Sequence, residues 1–79
     1  MVYNRIAVYR VAQGLSRKDV AQAVGVNPQT IGYLERGEYA PSVELALKLA
    51  GLLKAPVEQL FSLTEFPPLA ASVADRGGS

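Results

Sequence analysis

The sequence predicts a small all-α domain made of five short helices. Three observations carry that reading. Residues that start helices and residues that stop them alternate along most of the chain. Between them, apolar residues recur at spacings of three and four, the helical period. No run of alternating β-branched and aromatic residues reads as a strand.

The first helix is expected from about Asn4 to Ala12, closed by Gly14. A second opens at Ser16 with Asp19 three residues on, the pattern in which each side chain accepts from the other's backbone N–H. Val20, Ala21 and Val24 follow at helical spacing, and Gly25 ends it. Asn27 before Pro28 reads as an N-cap followed by a first-turn proline. That third helix has Ile31 and Leu34 on its inner side and ends at Gly37. Ser42, after Pro41, caps a fourth helix running to about Leu53, and Pro56 begins a fifth that reaches Leu60 or Phe61. From Thr64 the character changes. Pro67-Pro68, a stretch of small residues and a closing Arg-Gly-Gly-Ser predict a flexible tail over 64–79 after a domain of 1–63. Phe66 and Leu69 are the tail residues suited to docking.

Composition narrows the chemistry. Seventy-nine residues make one domain, and a domain of this size buries only about 60% of its unfolded surface. The chain has neither His nor Cys, so it has no disulfide, no thiolate nucleophile, no Ser-His-Asp arrangement and no ordinary structural zinc site. The carboxylates form no convincing acid/base pair and no glycine-rich loop cradles a phosphate, so no enzyme, cofactor or metal is expected. Arg5 and Arg10 interrupt the N-terminal apolar residues, which argues against a secretory signal. The most apolar stretch, 43–53, contains Glu44 and Lys48 and is far shorter than the roughly 20 residues of a membrane span. With no cysteine to suggest otherwise, the expected location is cytoplasmic.

The formal charge is only +1. It is unevenly placed, however. Residues 1–39 carry Arg5, Arg10, Arg17, Lys18 and Arg36 against Asp19, Glu35 and Glu38, a surplus of +2, while residues 40–79 carry a deficit of one. An anionic partner should therefore meet the N-terminal half.

The segment Arg17 to Arg36 is the most informative. Two helices joined by a short turn at about 90–120° approach closely where they cross, which favours a small residue such as Ala21. The turn needs a positive φ, which Gly25 adopts without steric cost. Ile31 then buries against the preceding helix. This is a helix-turn-helix pattern.

The run Gly14-Leu15-Ser16-Arg17-Lys18-Asp19-Val20-Ala21, followed by Gly25-Val26-Asn27-Pro28-Gln29-Thr30-Ile31 and Leu34-Glu35-Arg36-Gly37, resembles the phage-repressor/Cro-like helix-turn-helix regulators, the xenobiotic-response-element (XRE) family. The segments Pro41 to Ala50 and Val57 to Phe61 are similar to that family's last two helices. The resemblance spans about residues 4–63. It implies a five-helix, lambda-repressor-like DNA-binding domain of prokaryotic or phage type, its third helix in the major groove, usually as a homodimer.

The residues agree with that expectation. At 100° per residue, Gln29, Tyr33 and Arg36 lie opposite Ile31 and Leu34 on the third helix. Gln29 suits bidentate contact with adenine, and Thr30 suits a thymine methyl or a phosphate. Tyr33 has two readings, a contact to base or phosphate and half-buried packing along the helix. Pro28 stands where the family often has a polar side chain; it offers apolar contact to a thymine methyl or simply fixes the helix start. Gly32 weakens the helix, and either permits close approach of DNA or is a tolerated imperfection. Ser16, Arg17 and Asn27 lie at helix starts, where free amides and the dipole favour phosphates. Arg36 is a further phosphate candidate, whereas Lys18 reads as an ordinary surface charge. Glu38 would repel DNA if it faced it.

Arg10 and Glu35 match family positions that form an ion pair between the first and third helices. The expectation is a partly buried structural pair, with Arg10 also within reach of a phosphate. The fourth helix is apolar nearly all round, with Glu44, Lys48 and Gly51 as its polar stripe. A second subunit is the economical cover for it, through helices four and five with help from Phe66 to Leu69; the alternative is burial within the monomer. Val8 and Val11 add a second apolar patch. A dimer reading two half-sites about 34 Å apart implies a pseudo-palindromic operator in double-stranded DNA.

The leading functional reading is thus a small dimeric, sequence-specific transcriptional regulator, in particular a repressor. An antitoxin-like or accessory subunit is the first alternative. The second is a protein-interaction module that uses the fold without DNA, in keeping with the low charge, Pro28 and Glu38.

Overall fold

The computed structural model describes residues 2–66. They run as β1 (Tyr3–Asn4), α1 (Ile6–Ala12), α2 (Arg17–Val24), α3 (Pro28–Glu35), α4 (Val43–Leu53), α5 (Val57–Leu60) and β2 (Phe61–Ser62). The five expected helices are present. One boundary shifts by two residues, with α1 starting at Ile6 rather than Asn4, while α5 ends at Leu60, one of its two expected ends. The cause is a feature absent from the sequence reading. Tyr3 pairs with Ser62 and Asn4 with Phe61 in a two-residue antiparallel ladder, extended by an Arg5 N–H to Leu60 carbonyl bond of 2.8 Å. Strands this short have no periodicity to detect; they form because the packed helices bring the two ends of the domain side by side.

Asn4 consequently works from the strand. Its Oδ1 accepts from the Ile6 amide at 3.1 Å, and its Nδ2 donates to the Leu34 carbonyl at 2.7 Å, tying β1 to the end of α3. Beyond β2, Thr64 donates its amide to Ser62 Oγ, and the Phe66 ring lies 4.4 Å from the Arg5 guanidinium. The chain thus keeps contact with the domain past the boundary expected at residue 63. Residues 67–79, including Leu69 and the rest of the expected tail, lie outside the described residues.

The helix starts follow local chemistry. Asp19 donates its amide to Ser16 Oγ at 3.0 Å, and Ser16 donates its own to Asp19 Oδ2 at 2.9 Å, closing the reciprocal cap of α2. Ser42 Oγ accepts from the Leu45 amide at the head of α4. Asn27 occupies the cap position of α3 with extended backbone, but its side chain makes no capping bond; Pro28 alone sets the first turn. Gly25 ends α2 at φ +79°, the left-handed conformation expected of it. After α3, Gly37 donates to the Leu34 carbonyl and Glu38 to the Tyr33 carbonyl, the paired bonds of a Schellman close. Lys54 closes α4 in a left-handed conformation, φ +58°, at a position usually given to glycine.

A single core joins all five helices. Ile6, Val20, Ala21, Val24, Ile31, Leu34, Leu49, Leu53 and Leu60 form one buried cluster. Ala21, 1% exposed, sits between α2 and α3, where any larger side chain would force the pair apart. Each fully buried leucine or isoleucine contributes about 1.5–3 kcal/mol relative to exposure. The fourth helix divides differently from a uniformly buried one. Leu49 and Leu53 are in the core and Leu45, Ala46, Ala50 and Leu52 are half-buried, but Val43 and Leu47 are 77% and 59% exposed beside the Glu44–Lys48 ion pair of 3.0 Å. Val8 and Val11 on α1 are also exposed. Among the described residues, no helix is long and apolar enough to cross a membrane.

Candidate nucleic-acid interface

The turn between α2 and α3 sets the site. Ala21, Val24, Ile31 and Leu34 bury the inner faces of both helices, so residues half a turn away on α3 must face outward. A shallow cleft of about 290 Å³ results, lined by Arg17, Pro28, Gln29, Gly32, Tyr33 and Arg36. Five of the expected site residues are therefore brought together: Arg17, Pro28, Gln29, Tyr33 and Arg36. All five are exposed. Tyr33, with two readings open from the sequence, is 43% exposed and on this outer face. Thr30 is half-buried and does not line the cleft. Ser16 and Asn27 are exposed at the starts of α2 and α3, outside it.

The arginines are held in place from within. Glu35, with a side chain 4% exposed, accepts from Arg10 Nε at 2.7 Å and from Arg17 Nε at 2.9 Å. Arg10 also donates through Nη1 to the Leu15 carbonyl at 2.9 Å. Its side chain is only 14% exposed and its hydrogen bonds run inward, the geometry of the structural ion pair expected with Glu35. Arg17 differs. One edge rests on Glu35, while half of its side chain faces solvent at the rim of the cleft. One carboxylate thus anchors two guanidiniums and leaves a positive surplus directed outward.

At the other end of α3, Arg36 Nε donates to the Glu38 carboxylate, and the guanidinium lies 5.2 Å from the centre of the Tyr33 ring. Glu38 therefore does not stand as an isolated negative charge. Its hydrogen bond raises the already high pKa of Arg36, so the guanidinium stays charged at any relevant pH. At Gly32 a Cβ would sit 3.2 Å from Arg36 Nη1, so the bare backbone leaves room for that guanidinium. That proximity could not be read beforehand, because it depends on the rotamer of a residue one turn away. At the start of α2, the Ser16 amide and then the Ser16 hydroxyl hold the Asp19 carboxyl below its ordinary value. No group of three or more His, Cys, Asp or Glu side chains is placed to hold a metal among the described residues.

Two guanidiniums, an amide and a phenol thus line one exposed cleft, a combination chemically suited to a polyanion with base edges. Comparison with known proteins agrees. A helix-turn-helix family model matches residues 6–60. An uncharacterized HTH-type transcriptional regulator of Archaeoglobus fulgidus is 42% identical over 58 residues, covering 73% of this chain and 83% of that protein. The cryptic phage CTXphi transcriptional repressor RstR of Vibrio cholerae is 32% identical over 65 residues, covering 82% of this chain and 59% of that protein. Among solved structures, a putative DNA-binding protein from Bacteroides fragilis superposes with a TM-score of 0.71 at 27% identity, over 78% of this chain and 100% of that one. The order of helices, the buried turn and these likenesses lead to one conclusion: the chain belongs to the Cro/C1-type (XRE) helix-turn-helix family of DNA-binding transcriptional regulators, which are not enzymes.

Proposed function

We propose that the protein is a cytoplasmic, dimeric repressor, of prokaryotic or phage origin, that recognises a pseudo-palindromic operator with α3 in the major groove. The observation that carries this reading is the shared cleft. Gln29 and Tyr33 of α3 share one cleft with Arg17 of α2 and Arg36 at the end of α3, so base-reading and charge-bearing groups meet the groove together. Gln29 reads a base edge, with Pro28, Tyr33 and Thr30 adding contacts to bases or the adjacent backbone. Ser16, Arg17 and Asn27 take phosphates, helped by free amides at the starts of α2 and α3. Arg10 acts through Glu35 by positioning Arg17. The role of Arg36 is set by how its guanidinium is held. Dimerisation is supported by Val43 and Leu47, large apolar side chains left uncovered on α4.

Selection of bound duplexes from random DNA, followed by titration at several salt concentrations, tests the reading. A palindromic consensus, affinity falling steeply with salt, and loss of binding in Arg17→Ala and Gln29→Ala are expected. No enriched sequence, with both variants silent, overturns it. That result would favour a protein-interaction module, for which the two internally tethered arginines are the supporting feature.

A further inference from the structure

The pairing of Arg36 with Glu38 has a cost and a geometry. A carboxylate beside a DNA-facing guanidinium cancels much of the charge that a phosphate would feel at a distance. It therefore weakens any role for Arg36 as a general backbone contact. What it leaves is direction. Two contacts restrain a side chain that is ordinarily among the most rotationally free. Glu38 takes Nε and the Tyr33 ring lies 5.2 Å away, while the bare backbone at Gly32 leaves room, since a Cβ there would stand 3.2 and 3.8 Å from the terminal nitrogens. The Schellman close of α3 fixes Glu38 just past the helix end, so the arrangement does not depend on a free loop.

The nitrogen engaged matters. With Nε on Glu38, Nη1 and Nη2 make no hydrogen bond to protein among the described residues, and the side chain lines the same cleft as Gln29. Two parallel donors match the O6 and N7 acceptors of guanine in the major groove. A phosphate could take the same fork, but the Glu38 carboxylate cancels much of the long-range attraction that favours it, and the side chain lines the cleft beside Gln29.

We infer that Glu38 is a specificity-determining positioning residue: with Tyr33 and the bare backbone at Gly32, it directs Arg36 to read a guanine rather than hold a phosphate. The pair thereby trades nonspecific attraction for sequence discrimination. This inference rests on the DNA-binding reading above.

The test is sequence selection with the full chain and three variants, then titration of selected and scrambled duplexes at several salt concentrations. The wild-type protein is expected to enrich a G·C pair at one position of each half-site. Arg36→Ala should lose that preference while the rest of the half-site is still enriched. Glu38→Ala should bind scrambled DNA several-fold tighter, steepen the salt dependence by about one ion, and lower the selected-to-scrambled ratio roughly tenfold. Both side chains of the pair are half-exposed, so this variant should fold. Gly32→Ala should lower the same ratio with the salt dependence unchanged, and alanine is the better helix former, so unfolding does not explain such a loss. A guanine preference that survives Arg36→Ala overturns the inference. So does a Glu38→Ala protein that tightens on both duplexes equally, which marks Glu38 as a simple repulsive charge, or an unchanged ratio in Gly32→Ala. Each of these leaves the DNA-binding reading standing. Failure of the wild-type protein to enrich any sequence sinks both.

Discussion

Arg10 Nε lies 2.7 Å from Glu35 Oε2, joining α1 to the end of α3 through a carboxylate that is 4% exposed. Removing one member of such a pair leaves the other charge buried and unpaired, a loss of about 3–5 kcal/mol. Glu35→Ala is therefore expected to lower the denaturation midpoint sharply in urea or heat. It also releases Arg17, so DNA affinity should fall in whatever fraction stays folded. A melting curve that matches the wild-type protein would show that the pair carries no stability.

The reciprocal cap of α2 is open to a pH experiment. The Asp19 carboxyl lies below its ordinary value in the folded protein, held first by the Ser16 amide and then by the Ser16 hydroxyl. A depressed folded value means stability that is fully present above the unfolded value, near pH 4, and lost as pH falls through the folded one. Denaturant midpoints followed downward from neutral pH should show this loss, and Asp19→Asn should flatten that part of the profile. Separately, Ser16→Ala removes the acceptor for the Asp19 amide and should cost about 1 kcal/mol at neutral pH.

Lys54 is a natural place for improvement. It holds φ +58° to end α4, a conformation that costs a residue with a side chain roughly 1–2 kcal/mol. Lys54→Gly relieves that strain while adding some chain entropy to the unfolded state. A net gain of about 0.5–1 kcal/mol is expected by chemical denaturation. A decrease would mean that the lysine side chain makes a compensating contribution.

The uncovered face of α4 can be tested by charge. Leu47→Glu places a carboxylate where 59% of the residue already faces solvent, so the fold of one subunit should tolerate it. If α4 is the subunit interface, analytical ultracentrifugation should show monomers for this variant and dimers for the wild-type protein. Equal sedimentation of the two proteins would move the interface elsewhere, with Val8 and Val11 on α1 the next surface to examine.

What could be read from the sequence was chemistry between near neighbours. Ser16 and Asp19 are one turn apart, Gly25 needs no partner to adopt φ +79°, and Ser42 caps the turn it precedes. The apolar spacing of Val20, Ala21, Val24, Ile31 and Leu34 likewise determined which faces of α2 and α3 turn inward, and so left Gln29, Tyr33 and Arg36 outside. The helix-turn-helix and its outer face were legible for that reason. Even local signals had limits: Asn27 stands at the cap position without making the capping bond.

Only the tertiary structure decided the rest, because each remaining feature joins residues distant in sequence or depends on a particular rotamer. The β1–β2 ladder brings together residues nearly sixty positions apart and moves the start of α1 from Asn4 to Ile6. Arg17 shares Glu35 with Arg10 across three helices, and Arg36 folds back over Gly32 to meet Glu38. Composition determined a net charge of +1. Packing decided that two of the arginines behind that figure line the same exposed cleft as Gln29, each bonded to a carboxylate of the protein itself.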